Sequence, residues 1–184
     1  MSIRHILRKM KDICSLMVDL AYFAYLKQKR EISDLVLKLE SEVDKLAYFL
    51  YMTASLAARD KDDAEFSAVL IKVGTAFNEL ANAAADIADM VKLSLSPHRS
   101  IQEAFEKTEE TVDDVNVEAN SLIDGKRVRD LEKFGIYIDI IALKRNNSWL
   151  LNPDRNFIIR GGDILIVRGN IEMLTKMREV CKHE

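Results

Sequence analysis

The apolar residues of this chain change their repeat once, near Val115, and that change limits the fold more than any other feature. Before Val115 they recur every three or four positions, as on one face of a helix. After it they alternate, as in a half-buried strand. A chain of 184 residues with such a switch reads as two units rather than one core. The expectation is an α+β protein of two domains: an antiparallel three-helix bundle over 1–96, a linker with a short helix over 97–112, and a small β-α-β-β-β-α domain over 113–184.

In the helical half, Ile6, Met10, Ile13, Met17, Leu20 and Ala24 predict a first helix over 3–27. The charged run Lys27–Glu31 is its corner, and Ser33 or Asp34 is expected to cap the next helix. Ile32, Leu35, Leu39, Val43, Leu46, Leu50 and Ala57 approach a seven-residue repeat, which favours long antiparallel packing. A corner at Arg59–Asp62 follows, with Asp62 and Glu65 as the expected capping pair. The third helix carries Phe66, Val69, Leu70, Val73, Phe77, Leu80, Ala84, Ile87 and Val91, with alanines that admit a close neighbour. Ser96-Pro97 stops it. Ser100 and Glu103 then predict a capped, acidic connecting helix over Ile101–Thr111.

Past Val115 and Val117, the expected first strand, Ser121 opens a short helix that Gly135 ends. The next strand alternates, with Ile136, Ile138, Ile140 and Ala142 on one face and Tyr137, Asp139, Ile141 and Leu143 on the other. A polar turn at Arg145–Ser148, a short strand, Pro153 and a strand at Phe157–Ile159 follow. The turn Arg160-Gly161-Gly162-Asp163 reverses into Ile164–Arg168, and Gly169-Asn170 opens the last helix. Gly161-Gly162 joins strands and precedes no helix, so it is no phosphate loop.

The composition excludes several function classes. With 48% apolar and 31% charged residues the chain is neither disordered nor fibrous. Its net charge of −3 gives no reason to expect a nucleic-acid partner. No apolar run approaches the ~18 residues of a membrane span, and charges interrupt the N-terminal stretch throughout, unlike a secretion signal. Cys14 and Cys181 lack Cys-x-x-Cys spacing and fit free thiols in a reducing compartment. These features predict a cytoplasmic protein. His5, His98 and His183 have no second ligand at metal spacing, and no nucleophile–base set or Gly-x-Gly-x-x-Gly occurs, so no enzyme is expected.

Two resemblances sharpen this reading. The order helix, three strands, helix, with Leu122, Gly125, Lys126, Leu131, Gly135, Ile136, Ile140, Ala142, Pro153, Gly161, Asp163, Leu165, Val167 and Gly169, resembles the TrkA C-terminal (RCK-C) domain, the ligand-binding lobe of potassium-channel regulators. That resemblance implies a regulatory site between two copies, lying along the second strand and adjacent turns. In some relatives it takes a cyclic dinucleotide. The matching positions are Ile140, Ile141, Arg145, Asn146 and Pro153, with Arg145 toward a phosphate and Asn146 toward a base or hydroxyl.

The helical half resembles PhoU proteins, regulators of phosphate uptake built from three-helix units, in its segments LESEVDKL (Leu39–Leu46) and FNELANAAADIADMV (Phe77–Val91). Glu40 and Asp44 match one metal-site helix of that family. On the other, where the family has an acid, Asp, Asn and a final acid, this chain has Asn78, Asn82, Asp86 and Asp89. Two expected carboxylates are thus amides, and one expected amide is a carboxylate. If the two faces meet, Glu40, Asp44, Asn82, Asp86 and Asp89 converge to suit Mg²⁺, Ca²⁺, iron or zinc; otherwise they form a solvated polar stripe. A single unit where the family carries two implies a homodimer. Together the resemblances imply a regulatory subunit for potassium or other cation transport, with the channel or transporter on a separate membrane chain and a small nucleotide or divalent metal as effector. The alternative is a metal-binding regulator of phosphate uptake.

Overall fold

The structure is a computed structural model that describes residues 2–106 and 108–183. The chain divides into two compact units, Met1–His98 and Arg99–Glu184. It is an α+β protein: three long helices, then a small antiparallel-sheet domain.

In the first unit α1 (Ile3–Lys27), α2 (Arg30–Ala57) and α3 (Lys61–Lys92) each pack against the other two. The side chain of Ser2 caps α1 by accepting from the His5 N–H. Large apolar residues of α1 and α2, among them Met10, Met17, Leu20, Val36 and Leu50, meet a smooth face of α3 made of Gly74, Ala81, Ala84 and Ala88. Small side chains let the backbones approach, and two hydroxyls bridge them. Ser33 Oγ donates to the Ala88 carbonyl and Ser67 Oγ to the Ala54 carbonyl, each at 2.7 Å.

Ser33 is therefore a buried cross-brace rather than the expected cap of α2; the N-cap is Lys29, with no side-chain bond. The α3 cap is Asp60, not Asp62: its carboxylate takes the Asp63 N–H at 2.9 Å. α3 ends at Lys92, and Ser94 turns left-handed (φ 58°) before Pro97 is reached. Phe66, Val69, Val73 and Leu80, read as core positions, are exposed. A three-helix layer covers only one side of α3, and that side is the small-residue one.

The second unit contains α4 (Arg99–Glu106), β1 (Thr111–Asn116), a 3-10 helix (Val128–Phe134), β2 (Asp139–Arg145), β3 (Ser148–Leu151), β4 (Ile164–Gly169) and α5 (Ile171–Val180). The sheet order is β1-β4-β2-β3, antiparallel throughout, with Val115 opposite Leu165 and Ile140 opposite Val167. α5 packs on β1 and β4, and Leu174 and Met177 join Leu165, Val167, Ile123 and Ile159 in one core.

Several elements differ from expectation. The helix predicted from Ser121 begins at Val128, although Gly135 ends it as read, in the left-handed conformation (φ 69°). Residues Phe157–Ile159 form no strand. A single bridge joins Ile158 to Arg127, and backbone bonds to Lys126 and Val128 lash the segment to the start of the 3-10 helix. The connecting helix is described only to Glu106; its expected continuation crosses residue 107, outside the described residues, and Thr111 already belongs to β1. Strict alternation also fails in β2. A bulge between Ile140 and Ala142 inserts Ile141 as an extra residue against β4, so the core phase passes from Ile140 to Leu143.

Candidate ligand-binding cleft

A concavity of the second unit lies beside the bulge in β2. Alternation would place Ile140 and Ile141 on opposite faces. Ile140 packs in the core with Leu143, and Ile140 and Ile141, both buried, border a cleft of about 630 Å³ formed by the 3-10 helix, the turn after β3 and the β4–α5 junction. The turn contributes Asn152 and Pro153, and the Asn152 N–H is held by the Ile141 carbonyl at 3.0 Å. Apolar side chains thus line one part of the cleft beside ionised groups of its rim.

Three guanidinium groups, Arg129, Arg155 and Arg168, line this cleft together with three carboxylates, Glu110, Glu132 and Asp139. The β2–β4 register sets Asp139 opposite Arg168, and Arg168 Nη2 donates to Asp139 Oδ2 at 2.7 Å. Arg155 pairs with Glu132. The Arg129 N–H donates to the Arg155 carbonyl at 2.9 Å, which ties the 3-10 helix to the turn. A second concavity shares Arg129, Glu132 and Arg155 and adds Lys133.

Of the residues expected to hold ligand, Ile140, Ile141 and Pro153 line the cleft, and Arg145 and Asn146 do not. Asn146 and Asn147 are left-handed (φ 49° and 64°) in the tight β2–β3 turn, a conformation Asn tolerates better than most residues. Arg145 is fully engaged elsewhere. Its Nε and Nη2 grip the two oxygens of Asp163 at 2.7 and 2.6 Å, and Nη2 also donates to the Ile158 carbonyl at 2.7 Å. Asp163, only 1% exposed, further accepts from the Arg160 N–H. The hydrogen bond to Asp163 pushes the Arg145 pKa upward. This pair braces the loop before β4. Arg168 was missed because the sequence does not reveal strand register, and Arg129 and Arg155 because it does not show the 3-10 helix and the turn after β3 meeting at one cleft. The one legible signal is Arg155, two residues past Pro153.

In the helical unit the five polar candidates do not form one centre. The Glu40 carboxyl is raised in pKa, by burial first and then by the nearby charges of Asp44 and Asp89. Asn82, Asp86 and Asp89 lie exposed on α3. Among the described residues no three Asp, Glu, His or Cys side chains converge to hold a metal ion. Asn78 has its amide oxygen buried without a hydrogen-bond partner. Cys14 is buried with its Sγ donating to the Phe77 carbonyl, and burial pushes its thiol up to about 11. Burial pushes Cys181 up to about 12.

Residues 7–91 match the PhoU domain and residues 114–182 match the TrkA-C domain. Similar solved structures include the RCK C domain of the potassium transport protein KtrA in complex with cyclic diadenosine monophosphate (28% identity, 43% of this chain and 93% of that one, TM-score 0.32). They also include the GsuK channel bound to NAD (12% identity, 76% and 26%, TM-score 0.35), and S. agalactiae BusR in complex with its busAB-promoter DNA (12% identity, 95% and 96%, TM-score 0.36). This chain spans about a quarter of the GsuK channel chain. No curated protein matches it. No helix among the described residues is long and apolar enough to cross a membrane.

Proposed function

We propose that this chain, a PhoU domain joined to a TrkA-C domain, is a ligand-sensing regulatory subunit for potassium or other cation transport. The transporter is a separate membrane chain, and the effector is a small nucleotide. The observation that carries this reading is the cleft. It brings Ile140, Ile141 and Pro153, the positions that the TrkA-C resemblance assigns to ligand, beside three guanidinium groups. Its volume of about 630 Å³ lies within the ~300–1,000 Å³ common for ligand sites, and its lining is mainly polar, which suits a charged ligand. Pro153, half-buried at the edge of the cleft, offers contact to a base. Arginine forks offer bidentate contact to phosphate.

The role is regulatory rather than catalytic. The two thiols are buried with raised pKa, which disfavours the nucleophilic thiolate. The protein acts as a homodimer at the cytoplasmic side of its membrane partner. Exposed aromatic and aliphatic side chains on α2 and α3 supply the surface for a second copy. Calorimetric titration of cyclic dinucleotides into the full chain tests the effector class, and co-purification from native membranes identifies the transporter. Saturable binding that raises the melting temperature supports the reading; no binding by any member of a nucleotide panel overturns it.

A further inference from the structure

The charges around the cleft differ in how firmly they are held. Asp163 is buried, and its pairing with Arg145 is a fixed part of the fold. Glu132 and Asp139 are the reverse: their side chains are 52% and 68% exposed, yet each occupies a guanidinium that lines the cleft. Exposed ion pairs are worth little and exchange with solvent ions readily. A phosphate offers a guanidinium the same two-oxygen geometry with more charge. With its three carboxylates in place the cleft is electrically neutral; without Glu132 and Asp139 it would carry two net positive charges, Glu110 still opposing three arginines.

We propose that Glu132 and Asp139 are internal competitors for a phosphate-bearing ligand. They occupy Arg155 and Arg168 in the free protein and are displaced when phosphate enters, so they set its affinity. The inference rests on the effector reading only in taking this cleft as the binding site. Arg129 donates its backbone N–H to the turn, and among the described residues its guanidinium has no close ion pair, only a longer-range attraction to Asp130, so phosphate meets it first. Displacement of Glu132 would free the Arg155 fork next.

The test uses inorganic pyrophosphate as a probe that carries phosphate charge and no base. It is titrated calorimetrically into the full chain as wild type, Glu132→Gln with Asp139→Asn, and Arg155→Gln with Arg168→Gln. Removing both carboxylates should strengthen binding at least about tenfold, the scale expected for two like charges removed within a few ångströms of the ligand. Removing both arginines should abolish it. Glu132→Gln and Asp139→Asn taken singly should each give part of the gain, and far-ultraviolet circular dichroism confirms that every variant is folded. Unchanged or weaker binding by the carboxylate variants, or no pyrophosphate binding by any of them, overturns this inference. A cyclic dinucleotide that still binds wild type would in that case leave the effector reading standing.

Discussion

At the scale of single residues, burial separates charges that hold the fold from charges free to act. Asp163 accepts from Arg145 and from the Arg160 backbone while almost wholly buried. Asp163→Ala leaves a partly buried guanidinium unpaired and should cost about 3 kcal/mol, read as a lower urea midpoint for the second unit. Glu40 behaves oppositely. Its folded pKa is raised, by burial and then by Asp44 and Asp89, so its charged form is the unfavourable one in the fold. Stability tied to it is full below its unfolded pKa and is lost as pH rises through the folded value. Glu40→Gln should therefore stabilise the bundle near neutral pH by about half a kcal/mol and lose that advantage in acid, as paired thermal melts across pH would record. A destabilised variant at neutral pH would contradict this. Cys14 and Cys181, buried and pushed up to about 11 and about 12, should resist thiol reagents at pH 8 in the native state and react once urea unfolds the chain. Arg145 shows where the sequence stopped: its cationic character was evident, but its partner lies across a loop eighteen positions away.

At the scale of elements, punctuation by glycine was legible and register was not. Gly135 ends a helix and Gly161-Gly162 make a turn, as the sequence indicates. The two turn glycines serve different ends. Gly162 adopts a positive φ of 90°, whereas at Gly161 an added Cβ would lie 2.6 Å from the Ala119 backbone. Gly161→Ala must push that backbone away and should destabilise the second unit by about 1–3 kcal/mol in urea titrations; an unchanged midpoint would show that the loop yields freely. The β2 bulge escaped the reading because apolar residues run unbroken from Ile140 to Leu143, and a run of that kind does not reveal its phase. Ile140 and Ile141, at that bulge, both border the cleft. The start of the 3-10 helix was missed because Ser121 resembles a cap, while its backbone N–H is taken by a turn to Glu118.

At the scale of the whole molecule, the division into two units followed from the change of apolar period alone, since period reports which surface each segment buries. The outward face of the bundle was legible only in part. Phe49 and Met52 are 48% and 41% exposed, and Tyr48, Leu56, Phe66 and Val69 are exposed as well. Apolar exposure on this scale is unusual for a monomer, and a two-fold pair is the commonest way to cover it. Light scattering should find a dimer at tens of micromolar (a working concentration on the order expected for micromolar affinity), and Phe49→Lys with Met52→Lys should return a monomer that remains helical. Divalent ions should leave the bundle's melting temperature unchanged; a rise that Glu40→Ala with Asp44→Ala abolishes would show that these carboxylates hold an ion. The regulatory reading stands or falls on the cleft, and calorimetric titration of cyclic dinucleotides into the full-length chain addresses it directly. Saturable binding, lost when Arg155 and Arg168 both become Gln, is the predicted result; no binding by the wild-type protein, or binding indifferent to those two arginines, would contradict it.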